Sequence, residues 1–115
     1  MQVGVYKTSG GKDIVLSDGF SSETKAKLLS ILKILTEEGL ENFITRPVDK
    51  NSNPKLWEIK NEKMRLFYFQ SNGAILITHI VENKQKNKTE KPDKRTATGR
   101  IKLMLENPEV HVAWV

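Results

Sequence analysis

The sequence predicts an α+β domain: a small, twisted, mainly antiparallel sheet with helices packed on one face. Three observations carry that expectation. A leucine-rich stretch of helical period runs from Leu28 to Leu35. Three strand-like runs follow closely between Leu56 and Val81, the last two joined by Asn72-Gly73. A second helical stretch precedes Asn107-Pro108. Strands followed by helices, without regular β-α-β alternation, is the pattern of α+β proteins.

Gln2 to Lys7 alternates apolar and polar residues and reads as a first strand, with Ser9-Gly10-Gly11 as the turn after it. Asp13 to Ser17 fits a short helix or an extended segment equally well. Ser21 or Ser22 is placed as a helix N-cap, because a hydroxyl there accepts from the first free amides. The helix ends at Gly39 and buries its aliphatic stripe. Arg46 to Pro54 is polar and turn-rich. Leu56–Lys60, Met64–Gln70 and Ala74–Val81 then form a meander, the middle strand apolar on both faces and therefore central. Asp93 to Glu106 reads as the last helix, with Pro92 before it. The tail, Val110 to Val115, has strand character. It is expected either to add a strand to the sheet edge or to dock Trp114 on the core. No repeat is visible, and the 115 residues read as a single domain, 1–115, with 107–115 as its C-terminal tail.

Composition narrows the function classes. The chain has no cysteine, which excludes disulfides, thiolate metal sites and a cysteine nucleophile. Two separated histidines give no paired-histidine motif, so neither metal nor cofactor is expected. No run reaches about 18 apolar residues, and no apolar stretch follows a basic start, so the expectation is a cytoplasmic protein without a membrane span. The net charge is +5. Between Lys84 and Lys102 eight Lys or Arg face only Glu90 and Asp93, so this segment holds the whole surplus. Such a patch suits a polyanion partner, most often nucleic acid; the alternative is a solvated, lysine-rich loop.

The blocks Leu56-Trp57-Glu58-Ile59-Lys60 and Met64-Arg65-Leu66-Phe67-Tyr68-Phe69 resemble the "LWELR…YRIFYF" core of HigB-like toxins in the RelE/ParE superfamily, including its phage-derived branch. Tyr6, Ser9-Gly10 and the Leu28–Gly39 helix extend the resemblance upstream; His79, the lysine-rich segment, Ala97 and Arg100 extend it downstream, covering about Val3 to Lys102. The chain departs from the family after the third meander strand, where Val81 or Glu82 stands at a phenylalanine position and Pro92 replaces a proline expected at Thr89 or Glu90. The resemblance implies a RelE/ParE-like fold and the toxin of a type II toxin–antitoxin pair. RelE- and HigB-like members cleave mRNA within the ribosome; ParE-like members poison DNA gyrase; a helix-turn-helix antitoxin neutralises the HigB branch. A non-catalytic, nucleic-acid-binding relative is the third alternative.

Metal-free RNA cleavage needs a base at the ribose 2′-OH, an acid at the leaving oxygen and cations on the phosphate. Strand alternation puts Glu58 and Lys60 on one face and Trp57 and Ile59 on the other. Trp57 and Ile59 are assigned to the core, and Glu58 and Lys60 face out. Arg65 is the candidate phosphate clamp, its planar fork matching phosphate oxygens. Lys60 and Lys84 are assigned to backbone binding and Glu58 to general base, against the alternative of a salt bridge within the sheet. Lys86, Lys88, Lys91, Lys94 and Arg95 are candidate RNA-phosphate contacts acting as a group. His79 is placed on one strand face with Ile75 and Ile77; His79, His111 and Tyr68 are further candidates for proton transfer, each with a structural alternative.

Overall fold

A computed structural model describes residues 1–17, 19–83 and 89–115. The chain forms strand β1 (Gln2–Tyr6), helices α1 (Ile14–Ser17) and α2 (Ser22–Glu38), strands β2 (Ile44–Asp49), β3 (Leu56–Asn61), β4 (Met64–Ser71) and β5 (Ala74–Val81), helices α3 (Lys91–Glu106) and α4 (Pro108–His111), and strand β6 (Val112–Trp114). The six strands make one sheet in the order β2-β3-β4-β5-β1-β6. Among the described residues only the β1–β5 pair is parallel. This is the predicted α+β fold, a mainly antiparallel sheet with helices packed against it. None of the helices is long and apolar enough to cross a membrane, among the described residues.

The meander forms where the sequence places it. At the β4–β5 turn Asn72 and Gly73 both take positive φ, 51° and 78°, which their small or locally hydrogen-bonding side chains permit. Central strand β4 is buried from Met64 to Phe69, as expected of a strand apolar on both faces. Ser21 caps α2, its hydroxyl accepting from the Thr24 amide at 3.1 Å. Leu28, Ile31, Leu32 and Leu35 bury the helix stripe, each contributing about 1.5–3 kcal/mol. Thr24 also donates to Glu82 Oε1 at 2.6 Å, which ties the start of α2 to the end of β5. The undecided segment after Gly11 is helical: Asp13 Oδ1 accepts from the amides of Val15 and Leu16, both at 3.0 Å, and so starts α1.

One element differs from expectation. The stretch read as turn-rich from Arg46 begins inside β2, which pairs antiparallel with β3. Pro47 is compatible with this because β2 is an edge strand and needs no donor on its open side. The tail takes the first of its two expected forms: β6 pairs antiparallel with β1, and Trp114 stays 54% exposed. Gly4 makes room for this strand. A Cβ at that position would lie 2.6 Å from Val112 Cγ1 and 2.9 Å from Leu76 Cδ2.

Candidate functional site

Strand register builds the site. Arg46 of β2 lies opposite Glu58 of β3. Phe67 of β4 also faces Glu58, and Arg65 faces Lys60. His79 of β5 faces Phe67. Arg46, Glu58, Lys60, Arg65, Phe67 and His79 thus share one sheet face, with Trp57 and Ile59 on the other.

Glu58 departs from the expectation that it faces out: it is 0% exposed. Alternation assigns it a face correctly, but that face is covered. Thr89, just before α3, has its hydroxyl 3.5 Å from Glu58 Oε2, and α3 packs on β5 and β4. Lys60 is exposed, as expected.

Arg65 is only 4% exposed, so it does not stand open as a phosphate clamp. Its Nη1 donates to the carbonyls of Glu62 at 2.6 Å and Met64 at 2.9 Å, closing the β3–β4 turn. Its Nε lies 3.9 Å from Glu58 Oε1 and has no hydrogen-bond partner among the described residues. The arginine that reaches solvent is Arg46, which sequence reasoning missed. Its Nε donates to Glu58 Oε1 while 42% of its side chain is exposed. Its signal lay in β2: once that strand is recognised, antiparallel pairing sets Arg46 across from Glu58. A buried carboxylate thus sits between two guanidiniums, one buried and one at the surface.

His79 does not share a face with Ile77. The β4–β5 register shifts between Phe67 and Tyr68, whose partners are His79 and Ile77, and the extra residue, Thr78, carries His79 to the Glu58 face. The His79 ring stacks on Phe67, centroids 5.7 Å apart. Nε2 lies 2.9 Å from Asp93 Oδ1, and Nδ1 lies 3.4 Å from Arg100 Nη1. The carboxylate assigns the proton to Nε2, leaving Nδ1 to accept from the guanidinium. With both nitrogens engaged, His79 links α3 to the sheet. Arg100 also donates to the Thr78 carbonyl at 3.0 Å and lies 4.5 Å over the Tyr6 ring. Tyr6 stacks on His111, centroids 5.7 Å apart and 3° from parallel, and His111 Nδ1 bonds the Lys7 carbonyl at 3.1 Å. His79 and His111 thus end one chain of contacts through Arg100 and Tyr6.

Tyr68 lies on the opposite face, across from Trp57, and is buried. Burial raises its pKa above the ordinary phenol value, an effect that a hydrogen bond with Thr45 partly offsets. It is not brought together with Glu58.

Lys91 and Arg95 are exposed on the first turns of α3. Lys94 Nζ lies 3.8 Å from Asp49 Oδ2, which sets the start of α3 beside the end of β2. Lys84, Lys86 and Lys88 lie outside the described residues. Along the β2–β3 edge the cations therefore run from Lys94 at Asp49, through Arg46 at Glu58, to Lys60.

No curated protein and no solved structure matches the chain. The family model described as phage-derived protein Gp49-like (DUF891) matches residues 17–102, a span holding β2 to β5, all of the Glu58 cluster and most of α3. The chain belongs to this phage-derived Gp49-like family, a family associated with toxin–antitoxin systems.

Proposed function

We propose that this chain is the toxin of a type II toxin–antitoxin pair, an endoribonuclease that cuts mRNA on the ribosome and stops translation, and that a helix-turn-helix antitoxin neutralises it. Membership of the Gp49-like family supports the toxin reading. The observation that carries the RNA reading is Arg46, a surface guanidinium held by a buried carboxylate and flanked along one edge by Lys60 and Lys94. Cations in such a row suit a phosphodiester backbone.

In this reading the phosphate clamp moves from Arg65 to Arg46. The scissile phosphate draws the Arg46 guanidinium off Glu58 and is held by its two-pronged face. Release of Arg46 uncovers the Glu58 carboxylate, which Arg65 holds in place from behind and which takes the 2′-OH proton. Lys60, two residues along the same strand face, stabilises charge on the leaving oxygen. Arg65 acts through Glu58 and is a positioning residue. Lys91, Lys94 and Arg95 hold the flanking backbone.

The test is purified chain with mRNA, with and without programmed ribosomes. The expected result is cleavage that requires the ribosome. A second reading, nucleic-acid binding without cleavage, is favoured by the burial of Glu58 and Arg65; it predicts RNA binding with intact mRNA. Inhibition of gyrase supercoiling with intact mRNA would instead place the chain with ParE-like toxins.

A further inference from the structure

The two edges of the sheet are built differently. The β2 edge carries Arg46, Pro47 and Asp49 and a register shift between Pro47 and Asp49, features that blunt an edge against pairing. The β6 edge has none of them: residues 110–115, Val-His-Val-Ala-Trp-Val, contain no Lys, Arg, Asp, Glu or Pro. In the β1–β6 ladder the Lys7 amide donates to the His111 carbonyl and the Val115 amide to the Val3 carbonyl. The His111 amide is taken by the Asn107 carbonyl; Ala113 and Val115 turn their amides toward β1, and Val112 and Trp114 turn theirs outward. The Val112 N–H is taken by the Pro108 carbonyl. The Val112 carbonyl and both backbone groups of Trp114 are left on the open edge. Exposed apolar side chains flank them: Leu16, Leu29, Trp114 and Val115. A groove of about 190 Å³ runs between Leu16, Leu29, Leu32 and Trp114.

We propose that this edge is the interface of a two-fold dimer of the chain. β6 pairs antiparallel with β6 of a second copy, Ala113 sits on the axis, and each Trp114 N–H donates to the Val112 carbonyl of the other copy. The two sheets join into one, and Leu29, Trp114 and Val115 are covered across the axis. Charge favours a second copy as the occupant. Residues 110–115 carry no Lys, Arg, Asp or Glu side chain and the groove beside them holds one acid, Asp13, so the strand itself neither repels a second copy nor offers a cation to an acidic strand. The cations of the β2 edge lie five strand spacings away, about 24 Å, which is several Debye lengths of about 8 Å. The basic regions of two copies paired through β6 are thus screened from one another. The same arrangement leaves the β2 edge of each copy, with Arg46, outside the interface, so this inference stands or falls apart from the proposed activity.

The test is sedimentation velocity of the full chain between about 1 and 100 μM, a range that spans modest association energies. Two variants accompany it. Trp114→Pro removes the outward N–H and no β1 hydrogen bond; Leu29→Glu places a charge on the covered flank and leaves the strand untouched. The expected result is a concentration-dependent dimer whose dissociation constant rises about tenfold or more in either folded variant. If circular dichroism shows Trp114→Pro unfolded, Leu29→Glu decides alone. A wild-type chain that is monomeric throughout overturns the proposal and leaves the edge to a strand of another protein. A dimer that Leu29→Glu does not weaken overturns it as well.

Discussion

Arg65 Nε lies 3.9 Å from Glu58 Oε1, and both side chains are buried. Removing one member of such a pair leaves the other charged in a low-dielectric site, which typically costs about 3–5 kcal/mol. Glu58→Gln strands a buried guanidinium and is expected to cost about 3 kcal/mol in urea denaturation. Arg65→Met is expected to cost less, because Glu58 keeps Arg46 as a partner. Equal losses in the two variants would contradict this account of the cluster.

Tyr68 supplies a pH dependence. Its folded pKa is raised by burial, so the phenol gives up its proton more readily in the unfolded chain. Its contribution is fully present below the unfolded value of about 10 and is lost as pH rises through that value toward the folded one. Tyr68→Phe is expected to flatten this alkaline loss. At pH 7 it costs about 1 kcal/mol for the hydrogen bond with Thr45. Chemical denaturation between neutral and alkaline pH measures both.

His79 joins α3 to the sheet through Asp93 and Arg100. Asp93→Asn weakens a charge-assisted contact and is expected to speed amide hydrogen exchange in the first turns of α3 before it changes β3 to β5. Uniform acceleration across the chain would show that the contact supports the whole fold rather than the helix start.

Gly4 is predicted to be intolerant of a side chain. In Gly4→Ala the new methyl meets Val112 and Leu76 at 2.6 and 2.9 Å, and overpacking of this kind costs about 1–3 kcal/mol. The melting temperature should fall by several degrees, as it should on deleting residues 110–115, which removes buried Val112 and the β6 ladder. An unchanged melting curve in both would refute the packing described for β6.

The contrast between β2 and the meander explains what was legible in the sequence. β3, β4 and β5 carry the alternation and the Asn72-Gly73 turn that local physics requires, and α2 carries its cap and stripe. β2 lacks an apolar face: it is half-buried to exposed from Ile44 to Asp49, and its proline reads as a turn. It is a strand because β3 offers it a free edge, which is tertiary information. Losing β2 hid Arg46. The Thr78 bulge is likewise invisible to a two-residue period, which is why His79 falls on the opposite face from the one expected. Glu58 was assigned its face by alternation, but what covers that face comes from thirty residues further on, at Thr89 and α3.

The central claim is that Arg46, held by Glu58, is the phosphate-binding cation of an mRNA-cleaving site. It is tested most directly by mapping mRNA 5′ ends after brief induced expression of the wild-type chain and of Arg46→Ala. Arg46 is partly solvent-exposed and Glu58 keeps Arg65 beside it, so the variant is expected to fold, which a melting curve checks first. The account predicts new ends inside translated frames with the wild type and about a hundredfold fewer with Arg46→Ala, the size of effect that follows loss of one transition-state donor. Intact mRNA in cells expressing the wild type, or the same ends at the same frequency in the variant, would contradict it.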